Sequence, residues 1–234
     1  MALIPFAWMR ASAALLQPLR RLSATAWLRE ADVDLLLQAL HPLALAGVWD
    51  HSNFRDDLLG RLRRTGQFIS GTTYGSRADA DWLIERVRTI HLKVSGTAPD
   101  GRAYAASDPE LLTWVHVAEV YSFLQAHLRY RNPQLSGADQ DRYYGEIALI
   151  AERLGATRVP RSRAEVAAYL AAIRPELRCD ERSLEILRIL RGAPAPSALA
   201  APAARLLYSA LLLSKVTAPA AESVTPTGRV PLAV

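Results

Sequence analysis

The chain has 234 residues, half of them hydrophobic, and a formal net charge of +5, which is enough length for one sizeable core. Lys93 and Lys215 are the only lysines, and arginines alternate with acidic residues, as in "RDDLLGRLRR". This mixture predicts no basic patch and excludes a nucleic-acid binder. Cys179 is the only cysteine, so a disulfide framework and a CxxC metal or redox motif are also excluded.

Targeting signals are weak throughout the sequence. The uncharged run "LLLQALHPLALAGVW" has 15 residues, fewer than the about 20 that span a bilayer. The opening stretch "MALIPFAWMRASAALLQPLRR" lacks the basic start of a signal peptide. We therefore expect a cytoplasmic protein without a transmembrane segment. Peripheral contact of the opening stretch with a membrane surface stays open, as does the oligomeric state.

The composition, rich in Ala and Leu and poor in runs of Val, Ile and Thr, predicts an all-α fold. We divide the chain into an N-terminal helical segment (1–30), one globular multi-helix domain (31–215) and a flexible tail (216–234). Apolar spacing predicts an amphipathic helix over 10–29. A long apolar helix follows, and Pro42 interrupts it.

Helical periodicity and turn residues divide the middle of the chain. The predicted helices cover about 56–74, 78–95, 109–131, 136–154 and 160–173, with an Ala-rich helix before residue 216. Between the second and third of these, a loop contains the turn signature Pro-Asp-Gly. Ser107 or Asp108 caps the next helix, with Pro109 in its first turn. Gly155 ends the fourth helix.

Histidines in apolar helices are the first candidate functional residues. The five histidines are His41, His51, His91, His116 and His127. Ile84, Val87 and Val94 share a helical spacing with His91, which therefore stands where a leucine is expected. A lone buried histidine is usually a core residue with hydrogen-bonded nitrogens. His116 changes that expectation, because the two imidazoles can face one cavity between neighbouring helices.

The residues around these histidines favour haem over zinc. No HxxxH, HExxH or CxxC motif supplies the short ligand spacing of structural zinc. A helical pocket with apolar walls and one projecting imidazole suits haem iron, and its propionates pair with arginine. Arg61 and Thr65 are spaced i, i+4 on one helix face, and Phe68 follows one turn later. This stretch is the candidate wall of such a pocket.

An ordered series of segments resembles the haem-dependent oxygenase family that groups rubber oxygenase (latex-clearing protein) with the oxygenase of mycophenolic acid biosynthesis, a family long described only as a domain of unknown function. The resemblance covers roughly residues 35–175. The matching segments are "LLLQALHPLALAGVWDHSNFRDDLLGRLRRTGQF", "ERVRTIHLKVSG", "PDGRAYAASDPELLTWVHVAEVYSF", "DRYYGEIALIAERLGA" and "VPRSRAEVAAYLAAI".

The resemblance implies a helical fold with one haem b, and O₂ chemistry on a hydrophobic substrate. His91 matches the family's axial ligand to iron, and Arg61 and Thr65 match its Arg-x-x-x-Thr motif. Phe68 joins them as a cofactor-binding residue, and Arg61, Thr65 and His116 are the candidate catalytic residues. His41 and His51 also match, without an assigned role.

Two departures from the family pattern narrow this expectation. The chain has no clear counterpart of the segments that shape the polymer channel in rubber oxygenase, which favours a small substrate. Arg64 precedes Thr65, and arginine, unlike lysine, stays protonated and cannot ligate iron. We therefore expect the sixth iron position to be open or to hold water.

The leading hypothesis is a haem b-dependent oxygenase that uses O₂ on a hydrophobic or aromatic small molecule. Glu119, one turn after His116, is either a proton-handling group or an ordinary helix-surface residue. Two alternatives remain: a haem-binding sensor or carrier without turnover, and a metal-free helical interaction protein. A visible absorption spectrum separates the last from the other two.

Overall fold

A computed structural model describes residues 36–192 of the protein. This part is mostly α-helical, with one two-stranded sheet, which confirms the all-α prediction. Residues 36–38 are helical, and the elements that follow are α1 (Pro42–His51), α2 (Leu58–Tyr74), α3 (Arg77–His91), β1 (Ser95–Thr97), β2 (Ala103–Ala105), α4 (Pro109–Tyr130), α5 (Gly137–Leu154), α6 (Arg163–Ile173), a 3-10 turn (Arg174–Glu176) and α7 (Glu181–Gly192).

Several predictions concern segments beyond these bounds. The N-terminal segment with its helix over 10–29, the Ala-rich helix before residue 216 and the tail at 216–234 lie outside the described residues. Among the helices between residues 36 and 192, none combines the length and the apolarity needed to cross a bilayer.

Helix ends follow the capping signals of the sequence. Ser76 Oγ accepts from Asp79 N at 3.1 Å and Asp79 Oδ2 accepts from Ser76 N at 3.2 Å, so a reciprocal capping box starts α3. Asp108 Oδ1 accepts from Glu110 N at 2.8 Å and caps α4, as predicted. Gly155 ends α5 with φ of 112°, a conformation that favours glycine.

Two elements differ from the sequence-based expectation. The segment expected to be a loop after α3 forms an antiparallel hairpin in which Gly96 pairs with Tyr104. Helix α7 was not anticipated, although Ile186 and Leu190, one turn apart, are buried against the core beside α1. Three-residue strands are too short for an alternating pattern, so the hairpin leaves little periodicity in the sequence.

The hairpin is fixed to the end of α1 by Tyr104. Its hydroxyl donates to Asp50 Oδ2 at 2.7 Å, and burial together with this bond raises the pKa of Tyr104 to about 12. A Cβ added at Gly96 would fall 2.6 Å from the Tyr104 hydroxyl, so only glycine leaves room for the ring. Beside it, His51 Nε2 lies 3.2 Å from the Ser95 carbonyl oxygen. The hairpin is therefore held by polar contacts to α1 and by a buried apolar cluster of Ala46, Ala98, Tyr104 and Leu111.

Helix α4 runs through the centre of the described fold. No residue from Leu111 to Leu128 is exposed, and Trp114, Val117 and Ala118 have no accessible surface. The helix packs mainly on α5 and also touches α1. A helix enclosed over this length must place its polar residues inside the protein.

A turn just before α1 joins three distant parts of the fold. Pro42 cannot donate a backbone hydrogen bond, and the helix that covers residues 36–38 stops before it. Three carbonyl groups of the turn accept hydrogen bonds from distant residues. Trp114 Nε1 donates to the Gln38 carbonyl at 3.3 Å, and Ser183 Oγ donates to the Ala39 carbonyl at 3.0 Å. The backbone N–H of Arg178 donates to the Leu40 carbonyl at 2.7 Å. The interruption is thus stabilised by α4, by α7 and by the segment that precedes α7.

We predict that Ser183→Ala destabilises the protein by about 1–3 kcal/mol, because it leaves the buried Ala39 carbonyl without its donor. Chemical denaturation measures the loss. Ser70→Ala, at an exposed position of α2, is the matched control and should stay within about 0.5 kcal/mol of the parent. Equal losses in the two variants would contradict the role given to this bond.

Candidate functional site

Helices α2 and α3 carry the Arg-x-x-x-Thr motif and the candidate iron ligand. The two helices are joined by a short turn and approach so closely that a Cβ on Gly71 would collide with Leu83 Cδ1. Arg61 and Thr65 lie in the first half of α2, and His91 is the last residue of α3.

His91 is the last residue of α3 and is only partly covered by surrounding atoms. Its Nδ1 atom is buried and has no hydrogen-bond partner among the described residues. Desolvation lowers the pKa of His91 below its usual range, which keeps the imidazole neutral at neutral pH. A neutral imidazole with an unpartnered nitrogen is the form that ligates metal ions.

Helix α4 carries a second set of unpartnered polar atoms. Among residues 36–192, His116 Nε2, Ser122 Oγ and His127 Nε2 are buried without a hydrogen-bond partner. Burial lowers the pKa of His116 to about 4, so its imidazole is also neutral. Three helical turns separate His116 from His127, with Phe123 between them on the same side of the helix. Buried polar groups without a protein partner are rare, and a ligand or ordered water can satisfy them. His41 Nδ1 and His91 Nδ1 are in the same state on other elements, so this feature is not confined to α4.

Glu119 lies beside this side of α4, one turn after His116. Desolvation raises the pKa of its carboxyl to about 7, although the side chain keeps some accessible surface. Glu119 is partly buried, and a role in proton handling stays a prediction.

The motif residues of α2 differ in their surroundings. Arg61 is partly buried and donates to Ser52 Oγ at 2.9 Å, which fixes its guanidinium beside the loop after α1. Thr65 and Phe68 are also partly buried. Arg64 is exposed and pairs with Asp57 Oδ2 at 3.3 Å. Arg64 therefore faces solvent, whereas the other three can border an interior site.

His41 and His51 have structural surroundings instead. His41 is buried at the start of α1, with its ring centre 5.8 Å from that of Trp114 and its Nε2 3.7 Å from Glu176 Oε2. Burial lowers the pKa of His41, while Glu176 acts in the opposite direction. His51 is exposed and contacts the hairpin through Ser95. His41 therefore contacts α4 and the 3-10 turn, and His51 contacts the segment just after α3.

The predicted site residues thus fall into two groups. Arg61, Thr65, Phe68 and His91 belong to the α2–α3 pair, and His116 belongs to α4. Between residues 36 and 192, no group of three or more His, Cys, Asp and Glu residues is arranged to hold a metal ion. Ser122 was not predicted from the sequence, because it belongs to no recognisable catalytic or binding motif.

Comparison with known proteins places the chain in a family. No curated protein and no solved structure matches it. Residues 22–225 match the family described as "ER-bound oxygenase mpaB/B'/Rubber oxygenase, catalytic domain", which confirms the resemblance inferred from the sequence segments. Because the match extends over most of the sequence, the chain belongs to the mpaB/rubber oxygenase catalytic-domain family.

Proposed function

We propose that the protein is a haem b-dependent oxygenase that uses O₂ to oxidise a small hydrophobic or aromatic molecule. Membership of an oxygenase family supports the reaction class. The observation that carries the cofactor assignment is the neutral, partly buried His91, whose Nδ1 has no internal partner. An imidazole kept inside a protein without such a partner is costly unless something else occupies that nitrogen.

The residues present fit a haem group by their chemistry. His91 would hold the iron, and the neutral form that its lowered pKa favours is the one that ligates. Arg61, whose guanidinium Ser52 holds in place, would pair with a propionate, and Thr65 would donate to the same edge. Phe68 would supply part of the apolar wall, because its partly buried ring lies one turn beyond Thr65.

When bound, haem supplies redox-active iron, the means by which haem oxygenases use O₂. The chain supplies the rest. Helix α4 keeps bulk water away from its enclosed side, where His116 offers a neutral ring nitrogen to an O–H or N–H donor. Glu119 holds a proton at its carboxyl up to about pH 7 and can give it to an oxygen atom of a bound molecule. Phe123, between the two histidines, favours an apolar substrate.

A second candidate function rests on His116. Its buried Nε2 is a second imidazole nitrogen without a partner, and two imidazole ligands suit a haem sensor or carrier better than an oxygenase. Carbon monoxide added to the reduced protein separates the two. Prompt binding indicates an open position and favours the oxygenase. A low-spin spectrum that becomes high-spin only in His116→Ala favours the sensor or carrier.

The decisive experiment is the visible spectrum of the purified protein and of His91→Ala. We expect a Soret band in the parent and a collapse of haem content in the variant, with partial recovery of the spectrum on adding imidazole. Thr89→Ala replaces an exposed residue of the same helix and is the matched control, which should keep its haem. A parent without a Soret band after haem addition would favour the metal-free interaction protein. A His91→Ala protein with full haem and an unchanged spectrum would overturn the ligand assignment.

We predict that Arg61→Ala and Thr65→Ala remain folded but retain haem less well and lose activity. Both positions are partly buried on α2, and Arg61 also loses its bond to Ser52. Haem transfer to apomyoglobin measures retention. Arg64→Ala is the matched control, because Arg64 is exposed and an exposed ion pair contributes at most about 1 kcal/mol. If Arg64→Ala loses haem as fast as the other two, the motif has no specific role.

We predict that Glu119→Gln is more stable than the parent above pH 7, by roughly 1–3 kcal/mol, and similar to it near pH 5. The pKa of Glu119 in the folded protein is about 7, against 4.5 for a glutamate in water. Over that interval the native state binds more protons than the unfolded state, so the parent loses stability as pH rises. Glutamine does not ionise and removes this loss. The prediction is tested by measuring the free energy of unfolding of the parent and of Glu119→Gln across pH 5–8.

The control for this pH series is Glu110→Gln, at an exposed position of the same helix. Its pH dependence should parallel that of the parent. His116 is present in all three proteins, and its lowered pKa makes each of them lose stability as pH falls from about 6.5 to 4. A stability difference between Glu119→Gln and the parent that does not change with pH would contradict the raised pKa.

A further inference from the structure

Three consecutive residues at the end of α1 contact two segments that carry candidate cofactor-binding residues. Asp50 and His51 are the last residues of α1, and Ser52 follows as its C-cap, with its backbone N–H donating to the Val48 carbonyl at 3.1 Å. We call these three residues the α1 clamp. Each forms a side-chain hydrogen bond to another element, and the helix end fixes the backbone from which that bond is made.

Two members of the α1 clamp hold the hairpin. Asp50 Oδ2 accepts from the Tyr104 hydroxyl at 2.7 Å, and His51 Nε2 lies 3.2 Å from the Ser95 carbonyl oxygen. A carbonyl oxygen only accepts, so Nε2 of His51 carries the proton of this bond. The His51 ring also meets the Tyr104 ring edge-on, with 6.2 Å between the ring centres. Both strands of the hairpin are therefore bonded to the same end of α1.

The hairpin begins directly after the candidate iron ligand. The Val94 N–H donates to the His91 carbonyl at 3.1 Å, and the Ala106 N–H donates to the Val94 carbonyl at 2.9 Å. Ser95, which His51 contacts, is the first residue of β1 and follows His91 by four positions. The backbone between them is hydrogen-bonded, so a restraint on Ser95 is also a restraint on the end of α3 that carries His91.

The third member of the α1 clamp holds the other half of the candidate site. Ser52 Oγ accepts from the Arg61 guanidinium at 2.9 Å, in a partly buried contact. The loop that joins Ser52 to α2 is itself anchored, because Phe54 has no accessible surface and its ring centre lies 5.8 Å from that of Trp49. The position of Ser52, and through it the direction of the Arg61 side chain, is therefore set by α1.

We propose that the α1 clamp is a positioning element that fixes His91 and Arg61 relative to each other. Consecutive Cα atoms are about 3.8 Å apart, so the residues that contact Ser95 and Arg61 are direct neighbours. A haem needs its iron ligand and its propionate partner at a set separation, and residues behind such ligands orient them. The ligand in this inference rests on the proposed function. The contacts themselves are tested without haem.

The first test uses the purified full-length protein before haem is added. Amide hydrogen exchange over residues 92–106 should be about two- to tenfold faster in His51→Phe, which keeps a ring but loses the donor. His51→Gln retains an N–H donor and should exchange like the parent. Phenylglyoxal should modify Arg61 about two- to tenfold faster in Ser52→Ala than in the parent or in Ser52→Thr, which keeps the hydroxyl. Mass spectrometry measures both rates.

The second test follows transfer of bound haem to apomyoglobin. Ser52→Ala should release haem about two- to tenfold faster but release haem dimethyl ester at the parent rate, because the ester offers Arg61 no carboxylate. His51→Phe should release both faster and shift the iron–histidine stretching band in the Raman spectrum of the reduced protein, and His51→Gln should restore both readouts. Asn53→Ala, at the exposed neighbouring position, is the matched control and should behave like the parent throughout.

The inference is overturned if His51→Phe exchanges like the parent, if His51→Gln is as impaired as His51→Phe, or if Asn53→Ala reproduces the effects. Equal acceleration of haem and of its dimethyl ester in Ser52→Ala also overturns it, because Ser52 would then act on the fold and not through Arg61. A parent that binds no haem contradicts the proposed function instead. In that case the hydrogen exchange and the phenylglyoxal rates still decide whether the α1 clamp holds the two segments.

Discussion

The turn that precedes Pro42 is the constraint on which the described fold depends. Proline stops the helix before it and leaves carbonyl groups that must find donors, because an unpaired buried carbonyl is costly. Those donors come from Trp114 in α4, Ser183 in α7 and the backbone of Arg178. One helix interruption therefore determines where three later segments lie. Ala39 of this turn is itself buried in the apolar cluster that joins α1 to α7.

Helix α4 has two functions that oppose each other energetically. It is enclosed along most of its length, which stabilises the fold through apolar residues such as Val117 and Ala118. On another side it keeps His116, Glu119 and His127 inside the protein, where desolvation shifts their pKa values towards the neutral forms. Such a helix is less stable than an all-apolar one. This cost is typical of functional sites, where local rules are broken for chemistry.

Much of this arrangement could be predicted from local signals. Capping residues such as Ser76 and Asp108, and the glycine at 155, determine helix ends through contacts within a few residues. The apolar spacing around His91 likewise predicted a partly buried histidine at the end of α3. Resemblance of ordered segments predicted the family, which the match over residues 22–225 confirms.

Other features depend on contacts between distant residues and leave no local signal. The β-hairpin exists because Tyr104 reaches Asp50, 54 positions earlier, and α7 is buried against residues near α1. The structural surroundings of His41 likewise come from Trp114 and Glu176 on other elements. The iron ligand, the haem and the substrate class stay predictions, because they concern a ligand rather than the chain's own packing.

Tyr104 and Gly96 face each other across the hairpin, and this pair has a consequence for how the sequence can change over evolution. A side chain at position 96 would occupy the space of the tyrosine hydroxyl, and a smaller residue at 104 would release the contact to Asp50. A side chain at position 96 therefore requires a smaller residue at 104, which gives up the bond to Asp50. Because that bond ties β2 to the end of α1, such an exchange would loosen the hairpin that links α3 to α4.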